Sequence, residues 1–89
     1  MTEYTKSPAA VLDYTVDWTD FLEEAETIST HSFIAETGVT LGTPALTGAR
    51  HLVFVSGGTL GRTYRVTSRI ITSEGRTQEQ SFLLRITET

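Results

Sequence analysis

The chain has 89 residues, no cysteine and a formal net charge of −4 at pH 7. A chain of this length buries roughly 60–65% of the surface that its unfolded form exposes, and the lack of cysteine excludes disulfides and thiolate metal sites. Because no apolar run reaches membrane-spanning length and residues 1–8 lack the apolar core of a signal peptide, we expect a protein that is neither secreted nor inserted in a membrane.

The N-terminal segment is predicted to be an arm followed by a strand. Residues 1–9 show little pattern and contain Pro8, which is typical of a flexible or partner-bound arm. Residues 10–89 are predicted to form a single β-sandwich domain. Apolar and polar side chains then alternate, which indicates a strand with one buried face. That face carries Leu12, Tyr14, Val16 and Trp18.

The segments that follow are shorter and less regular. Residues 19–24 resemble one helical turn with Thr19 or Asp20 as its N-cap, too short to form a stable helix alone. Residues 26–35 are predicted to form a second strand. Residues 36–48 contain several glycines and are predicted to form a short strand followed by a loop.

Residues 50–56 are predicted to form a strand with apolar residues on both faces. This pattern is typical of a central strand, or of a strand whose outer face contacts another protein. We expect Val53 and Val55 to face that partner; Leu52 and Phe54 take their place if the opposite face belongs to the core.

The clearest pattern in the chain is a hairpin over residues 62–86. Period-two alternation assigns one buried face to each arm. The buried row is Tyr64, Val66, Ser68 and Ile70 on the first arm and Phe82, Leu84 and Ile86 on the second.

The turn of this hairpin is predicted to have three residues, 73–75. A two-residue turn would mix the buried and exposed faces, whereas the three-residue turn pairs Val66 with Phe82. It also places Gly75 at the left-handed position of a type I turn with a bulge. On the outer face the same register sets Arg69 across from Glu79.

These elements predict an all-β protein, an immunoglobulin-like or fibronectin-III-like antiparallel β-sandwich of about six to seven strands. Tyr64 follows Gly61 as in a tyrosine corner, and a plain core tyrosine fits equally well. The predicted structural core consists of Leu12, Tyr14, Val16, Trp18, Tyr64, Val66, Ile70, Phe82, Leu84 and Ile86.

The charges are unevenly distributed along the chain. Residues 1–45 hold eight acids and one lysine, and residues 46–89 hold six arginines and three glutamates. The favoured explanation is that N-terminal and C-terminal strands interleave and their charges pair internally. The alternative is an acidic and a basic patch that meet head to tail in a ring of identical subunits. Because the arginines are spread along a hairpin that also carries acids, we expect no nucleic-acid binding.

The sequence contains no constellation for catalysis or metal binding. His31 and His51 have no further histidine or cysteine at ligand spacing, and each is expected on an outer strand face. The acids within residues 13–26 lack the spacing of a calcium loop, and residues 57–61 lack the lysine and helix of a phosphate loop. No serine has the context of a nucleophile. We therefore predict no enzyme activity, no metal site and no cofactor.

Three segments of the sequence form a recognisable series. They are residues 10–18 with 21–22 and 26–28, residues 55–59 with Gly61 and Tyr64, and residues 70–77 with Ser81 and Phe82. In this order they resemble a family of small tailed-bacteriophage proteins, the fibre–tail adaptor or connector proteins. The resemblance implies an immunoglobulin-like domain built into the virion in many copies around a portal or tail axis, without catalytic residues.

We therefore predict a non-enzymatic virion structural protein, made in the host cytoplasm, an adaptor or connector at the neck or tail that joins tail or portal proteins to fibres. Its expected partners are portal, tail tube, nozzle or fibre proteins, with several copies around a symmetry axis. A capsid decoration protein and a carbohydrate-binding module of a fibre are the alternatives. No contact with nucleic acid or membrane is expected. Exposed edge strands and residues 2–9 are candidates for strand addition between molecules. The candidate interface residues are Val53, Val55, Ile71, Leu83, Arg65, Arg69 and Arg85.

Overall fold

Residues 2–88 are described by the computed structural model, and they form eight β-strands and no helix. The strands are β1 (Thr2–Lys6), β2 (Leu12–Asp17), β3 (Ile28–Ala35), β4 (Val39–Leu41), β5 (Ala45–Thr47), β6 (Arg50–Gly57), β7 (Thr63–Thr72) and β8 (Thr77–Ile86). This part of the chain contains no helix with the length and hydropathy needed to cross a membrane. The prediction of an all-β fold is confirmed, with β1 and β5 added to the expected strands.

Hydrogen bonding arranges the strands in two sheets. Sheet A has the order β1-β8-β7-β3, and sheet B has the order β2-β6-β4, with β5 also paired to β6. Among the described residues every pairing is antiparallel except that of β1 with β8, which is parallel. Sheet A is therefore mixed, whereas the sequence pattern predicts antiparallel pairing throughout.

Strands from the two halves of the sequence pair with each other in both sheets. β1 pairs with β8 and β3 with β7 in sheet A, and β2 pairs with β6 in sheet B. Asp17 lies 3.9 Å from Arg50, and Glu26 forms an ion pair with Arg76. Acids of the N-terminal half thus meet arginines of the C-terminal half within one chain, as the interleaving explanation requires.

The core lies between the two sheets and takes side chains from both. Its buried apolar residues are Tyr14, Val16, Trp18, Val53, Val55, Tyr64, Val66, Ile70, Phe82, Leu84 and Ile86. Of the predicted core residues, Leu12 alone lies elsewhere, with 41% of its surface exposed. It is the first residue of β2, opposite Val55, so the paired segment ends there and leaves its side chain uncovered.

The β7–β8 hairpin has the predicted register, with Val66 opposite Phe82. The amide of Thr72 donates to the carbonyl of Arg76 at 2.8 Å, which closes the loop between them. Gly75 has a φ of 80°, a left-handed conformation that glycine adopts without a Cβ clash. The three-residue turn is confirmed.

The N-terminal segment differs from the flexible or partner-bound arm that the sequence suggests. Residues 2–6 form β1, which runs parallel to β8 at one edge of sheet A. The ring of Tyr4 lies 5.4 Å from that of Phe82, and the buried ammonium of Lys6 donates to two carbonyls of the following turn at 2.8 Å. Tyr4 is the single apolar residue of this strand, so the alternation that indicates the other strands is missing here.

The segment between β2 and β3 forms turns and no helix. The carbonyl of Trp18 accepts hydrogen bonds from two amides, three and four residues later, at 3.0 and 3.1 Å. The carboxylate of Asp17 accepts a hydrogen bond from the amide of Thr19 at 2.9 Å. The capping side chain is therefore Asp17 instead of the predicted Thr19 or Asp20.

Replacing Phe82 by alanine is expected to lower the free energy of unfolding by about 3 kcal/mol, because it leaves a cavity in the core. Phe82 is 3% exposed, and its ring lies 5.3 Å from that of Tyr14. Urea unfolding followed by Trp18 fluorescence measures the loss. Leu12→Ala is the control and should cost less than about 1 kcal/mol. Equal losses for the two variants would contradict this placement of the core.

Candidate functional site

The outer face of sheet A brings five of the predicted interface residues together. Side chains alternate along a strand, so the buried rows of β7 and β8 leave a second row on each strand facing outwards. We call this surface the arginine face. It includes Arg65, Arg69 and Ile71 on β7 and Leu83 and Arg85 on β8. Arg65 lies directly opposite Leu83; the three arginines are exposed and Leu83 is half-buried.

Hydroxyl groups and one ion pair surround these residues. Thr67 and Ser81 hydrogen bond to each other across the strands at 2.8 Å. Arg69 lies 3.7 Å from Glu79, and both side chains are about half exposed, so the pair contributes well under about 1 kcal/mol to stability. Within residues 2–88, Arg65 and Arg85 form no ion pair. Their charges are therefore available to a partner.

A shallow, open depression of about 280 Å³ lies on the arginine face beside β3. It is lined by Thr30 and Ser32 of β3 and by Arg69 and Ile71 of β7. Ser32 is opposite Arg69 and Thr30 is opposite Ile71, so short side chains on β3 meet long ones on β7. Two hydroxyls and a guanidinium provide hydrogen-bond donors for a carboxylate, and Ile71 provides an apolar wall.

Val53 and Val55 lie in the core and offer no surface to a partner. Both are fully buried, because β6 is the central strand of sheet B and Val53 faces inwards opposite Tyr14. The structure therefore selects the alternative that the sequence left open. Phe54 is 49% exposed, and Leu52 is half-buried on the same outer face.

The exposed aromatic side chains of the described part of the chain are Phe54 and Tyr4. Phe54 lies on the outer face of sheet B, opposite Asp13. Tyr4 lies at the edge of sheet A, and its ring packs 5.0 Å from that of Tyr14. The two exposed rings are therefore on different surfaces and form no joint stacking platform for a sugar.

A chain of hydrogen bonds crosses the core from sheet B to sheet A. The indole N–H of Trp18 donates to Ser68 Oγ at 3.1 Å. Ser68 Oγ lies 2.7 Å from His51 Nδ1, and His51 Nε2 lies 3.1 Å from His31 Nδ1. Ser68 Oγ keeps its own proton while it accepts from the indole, so in one proton arrangement it donates that proton to His51 Nδ1. His51 then carries its own proton on Nε2 and donates it to His31.

His51 is fully buried, whereas the sequence suggested an outer strand face. Its ring stacks on Phe33 with centroids 4.0 Å apart. Burial, and in second place the charge of His31, lowers the pKa of His51 to about 4. The signal for its position was present in the sequence: His51 has the same parity in β6 as Val53, so assigning Val53 to the core also buries His51.

The Ser68–His51 contact has the distance expected of a nucleophile and its general base. Ser68 is fully buried, and its oxygen also accepts the hydrogen bond from Trp18, so a substrate in solvent has no access to it. Residues 2–88 contain no group of three or more histidine, cysteine or acidic side chains placed to hold a metal ion. The contact instead holds β6 against β7.

An ion pair fastens the turn before β3 to the tip of the β7–β8 hairpin. Arg76 Nε donates to Glu26 Oε2 at 2.9 Å, and Arg76 Nη2 donates to Glu26 Oε1. The same guanidinium donates to the carbonyl of Phe21 at 3.1 Å and lies 4.3 Å from the centre of its ring. Hydrogen bonds to Glu26, first of all from Arg76, lower the pKa of its carboxyl to about 2.

Acidification is expected to reduce stability in two pH windows, one for each of these two groups. The pKa of His51 is about 4 in the folded chain against 6.5 ordinarily, so the unfolded chain binds more protons between these values and stability falls as the pH drops from 6.5 to 4. The pKa of the Glu26 carboxyl is about 2 in the folded chain, whereas its ordinary value is 4.5. Its stabilising effect is therefore complete above pH 4.5 and is lost as the pH falls towards 2.

Urea midpoints measured across both windows test this assignment. Glu26→Gln is expected to flatten the lower window and leave the upper one unchanged, and His51→Gln should flatten the upper window. If His51→Gln does not fold, the pH titration of the His51 ring followed by NMR in the intact chain gives the same information. A His51 pKa near 6.5 would contradict the burial of its ring.

Comparison with known proteins identifies one family. A family model described as "Podophage GP4 fiber-tail adaptor protein gp77" matches residues 6–85, which leaves out only short segments at the two ends of the 89-residue chain. No curated protein matches the chain. The matched range includes the hairpin, the arginine face and both ends of the buried hydrogen-bond chain.

Proposed function

The chain belongs to the family of podophage GP4 fiber-tail adaptor proteins, gp77, and we propose that it is a non-enzymatic structural adaptor of a phage tail. It joins portal or tail proteins to fibres at the neck or tail. It is made in the host cytoplasm and becomes part of the virion. One of the joined proteins docks on the arginine face.

The observation that carries this proposal is the grouping of three arginines and two aliphatic residues on one face of the hairpin. Arginine is enriched at protein interfaces, where its planar guanidinium binds carboxylates and its stem covers apolar surface. Leu83, opposite Arg65, provides such apolar surface between charged neighbours. A partner with carboxylates around an apolar contact is complementary to this arrangement.

The rigidity of the arginine face also supports docking. β7 and β8 are central strands of sheet A, and the inward side chains of Val66 and Leu84 are fully buried. A backbone held in this way loses little conformational freedom when a partner binds. The face therefore keeps one backbone arrangement before and after docking, and only its exposed side chains have to become ordered.

The strand order supports an immunoglobulin-like sandwich as the scaffold. That fold places its second, fifth and fourth strands in one sheet and its third, sixth and seventh in the other. Here β2, β6 and β4 occupy the first set of positions, and β3, β7 and β8 occupy the second. The hydroxyl of Tyr64 accepts a hydrogen bond from the amide of Thr59 at 3.0 Å, a local contact comparable with a tyrosine corner. β1 extends the second sheet by pairing with β8.

Several copies around the tail axis would make the attachment firm. One arginine face is small, and exposed charge pairs contribute little each. When identical contacts are repeated on a symmetric assembly, the second and later contacts become intramolecular and the overall affinity rises steeply. Portal, tail tube, nozzle and fibre proteins are the partners that this role implies.

The double variant Arg65→Glu/Arg85→Glu is expected to enter virions on the order of tenfold less than the unmodified chain, because like charges then face the partner's carboxylates. Quantitative mass spectrometry of purified particles measures the incorporation. Arg62→Glu is a control: it is exposed, lies in the turn before β7 and has no place on the arginine face. Circular dichroism of each isolated variant checks folding.

A density map of the particles then locates the protein. Density at the neck or tail with normal incorporation of the unmodified chain is the expected result. Equal incorporation of the double variant and the Arg62→Glu control would show that the arginine face is not the docking surface. Absence of the unmodified chain from purified virions would overturn the adaptor function itself.

A further inference from the structure

At one edge of sheet A, strand β3 pairs with β7 alone among the described strands and carries no charged residue, and β4 approaches it without pairing. β3 is the last strand of the sheet, and its sequence ISTHSFIA contains no lysine, acid or proline. Exposed edges are usually protected against pairing by such residues or by bulges. A bulge lies only at the start of the strand, between Ile28 and Thr30. The regular part of the edge, from Thr30 onwards, is therefore suited to receive another strand.

The pairing with β7 determines which main-chain groups of β3 face this edge. The amide of Glu36 donates to the carbonyl of Arg65 at 3.1 Å, so these two residues form a hydrogen-bonded pair. Such pairs alternate along an antiparallel ladder, and Ser32 therefore turns its N–H and C=O towards β7. His31 and Phe33 turn theirs towards the open edge, where a further strand would bond to them.

The opposite edge of sheet A is β1, and it carries a complementary residue. β1 has the sequence TEYTK, and Glu3 is opposite Leu83 of the arginine face, so its carboxylate lies on the outer face. Glu3 is exposed. β1 pairs only with β8 among the described strands, which leaves its other edge open as well.

The two edges run in compatible directions. β1 is parallel to β8, and both β8 and β3 are antiparallel to β7, so β1 and β3 point the same way. A neighbouring molecule displaced sideways along the sheet thus brings its β1 against β3 as a parallel strand. Its outer face then continues the outer face of the first molecule, with Glu3 on the same side as Ser32.

We propose that copies of this chain join head to tail, with β1 of one copy added to β3 of the next and Glu3 reaching over Ser32 to Arg69. Adjacent strands lie about 4.8 Å apart, so Glu3 and Arg69 stand on strands roughly 10 Å apart, a gap that two long side chains span. Because the side chains of Ser32 and Thr30 are short, a depression lies above them, and the Glu3 carboxylate of the neighbour crosses it to reach Arg69. On the inner face, Tyr4 of the neighbour meets the half-buried Phe33.

Such head-to-tail pairing goes beyond the adaptor function and takes place between isolated chains as well. Because the two edges are different surfaces, the contact is heterologous and builds a ring or an open chain rather than a closed pair. β1 has five residues, so each junction is small and isolated chains associate only at high concentration. In the virion, partners that hold copies side by side raise the effective concentration.

A pair of cysteines across the junction tests the proposal. Adjacent strand positions lie about 5 Å apart, within disulfide range, and the chain has no cysteine of its own. The variant Glu3→Cys/Ser32→Cys is therefore expected to form a ladder of covalent oligomers beyond the dimer on mild oxidation, in concentrated solution and in particles. Each single variant gives dimers at most. Glu3→Cys/Thr77→Cys is the matched control, because Thr77 lies on the outer face of the internal strand β8.

A charge exchange provides a second test that does not depend on disulfides. Glu3→Arg and Arg69→Glu should each weaken association in sedimentation experiments about tenfold. The double exchange should restore much of the loss, because the ion pair forms again with its signs reversed. If Arg69→Glu weakened association only by breaking the Arg69–Glu79 pair within one chain, adding Glu3→Arg would restore nothing.

The outcomes separate this proposal from the adaptor function. A ladder no longer than that of the Thr77 control, or a double exchange no better than the single changes, overturns the head-to-tail pairing. If particles nevertheless contain the chain at the tail, the adaptor function stands. If isolated chains form the ladder and purified virions lack the protein, the pairing stands and the adaptor function fails.

Discussion

The main-chain pairing of β7 with β8 is the constraint on which the rest of the structure depends. Side chains alternate along both strands, so one register places Val66 and Phe82 in the core and leaves Arg65 and Leu83 outside. The three-residue turn with Gly75 sets that register. A shift by one residue would turn every side chain of one strand to the opposite face. The core and the arginine face therefore have the same origin.

Two polar contacts hold the remaining elements against this hairpin. The hydrogen bond between His51 and Ser68 joins β6 to β7 inside the core, and the pair of Glu26 with Arg76 joins the turn before β3 to the hairpin tip. Both use groups that would be costly to bury without a partner. Breaking either contact leaves an unsatisfied polar group, and the His51–Ser68 contact is the one that links sheet B to sheet A. A body of this kind suits a protein that transmits position between larger structures.

The surfaces of the molecule divide into a face and two edges with different chemistry. The arginine face carries cations and short aliphatic side chains, and we propose that a different protein docks there. The edges offer main-chain hydrogen-bond groups, together with Glu3 on one side and Arg69 near the other. The proposed contacts with a partner and between copies thus use neighbouring parts of one sheet. Docking on the face and pairing at the edges can occur together, since strand addition leaves the outer face of β7 and β8 open.

The hairpin could be predicted in full from the sequence, because its alternation and its turn glycine are local signals that agree with each other. The predicted core also follows from alternation, apart from Leu12, whose exposure depends on where the neighbouring strand ends. In β6 both faces are apolar, so parity alone could not say whether Val53 or Phe54 is inside; packing against β2 and β7 decided it and buried His51 as well. β1 has one apolar residue, so its sequence gives no alternation from which to predict a strand. The strand forms because it pairs with β8. The sequence by itself determined six of the eight strands that residues 2–88 form and the one register that a turn encodes. The tertiary structure decided everything that depends on residues distant in the chain, because burial is a property of the neighbours and not of the residue.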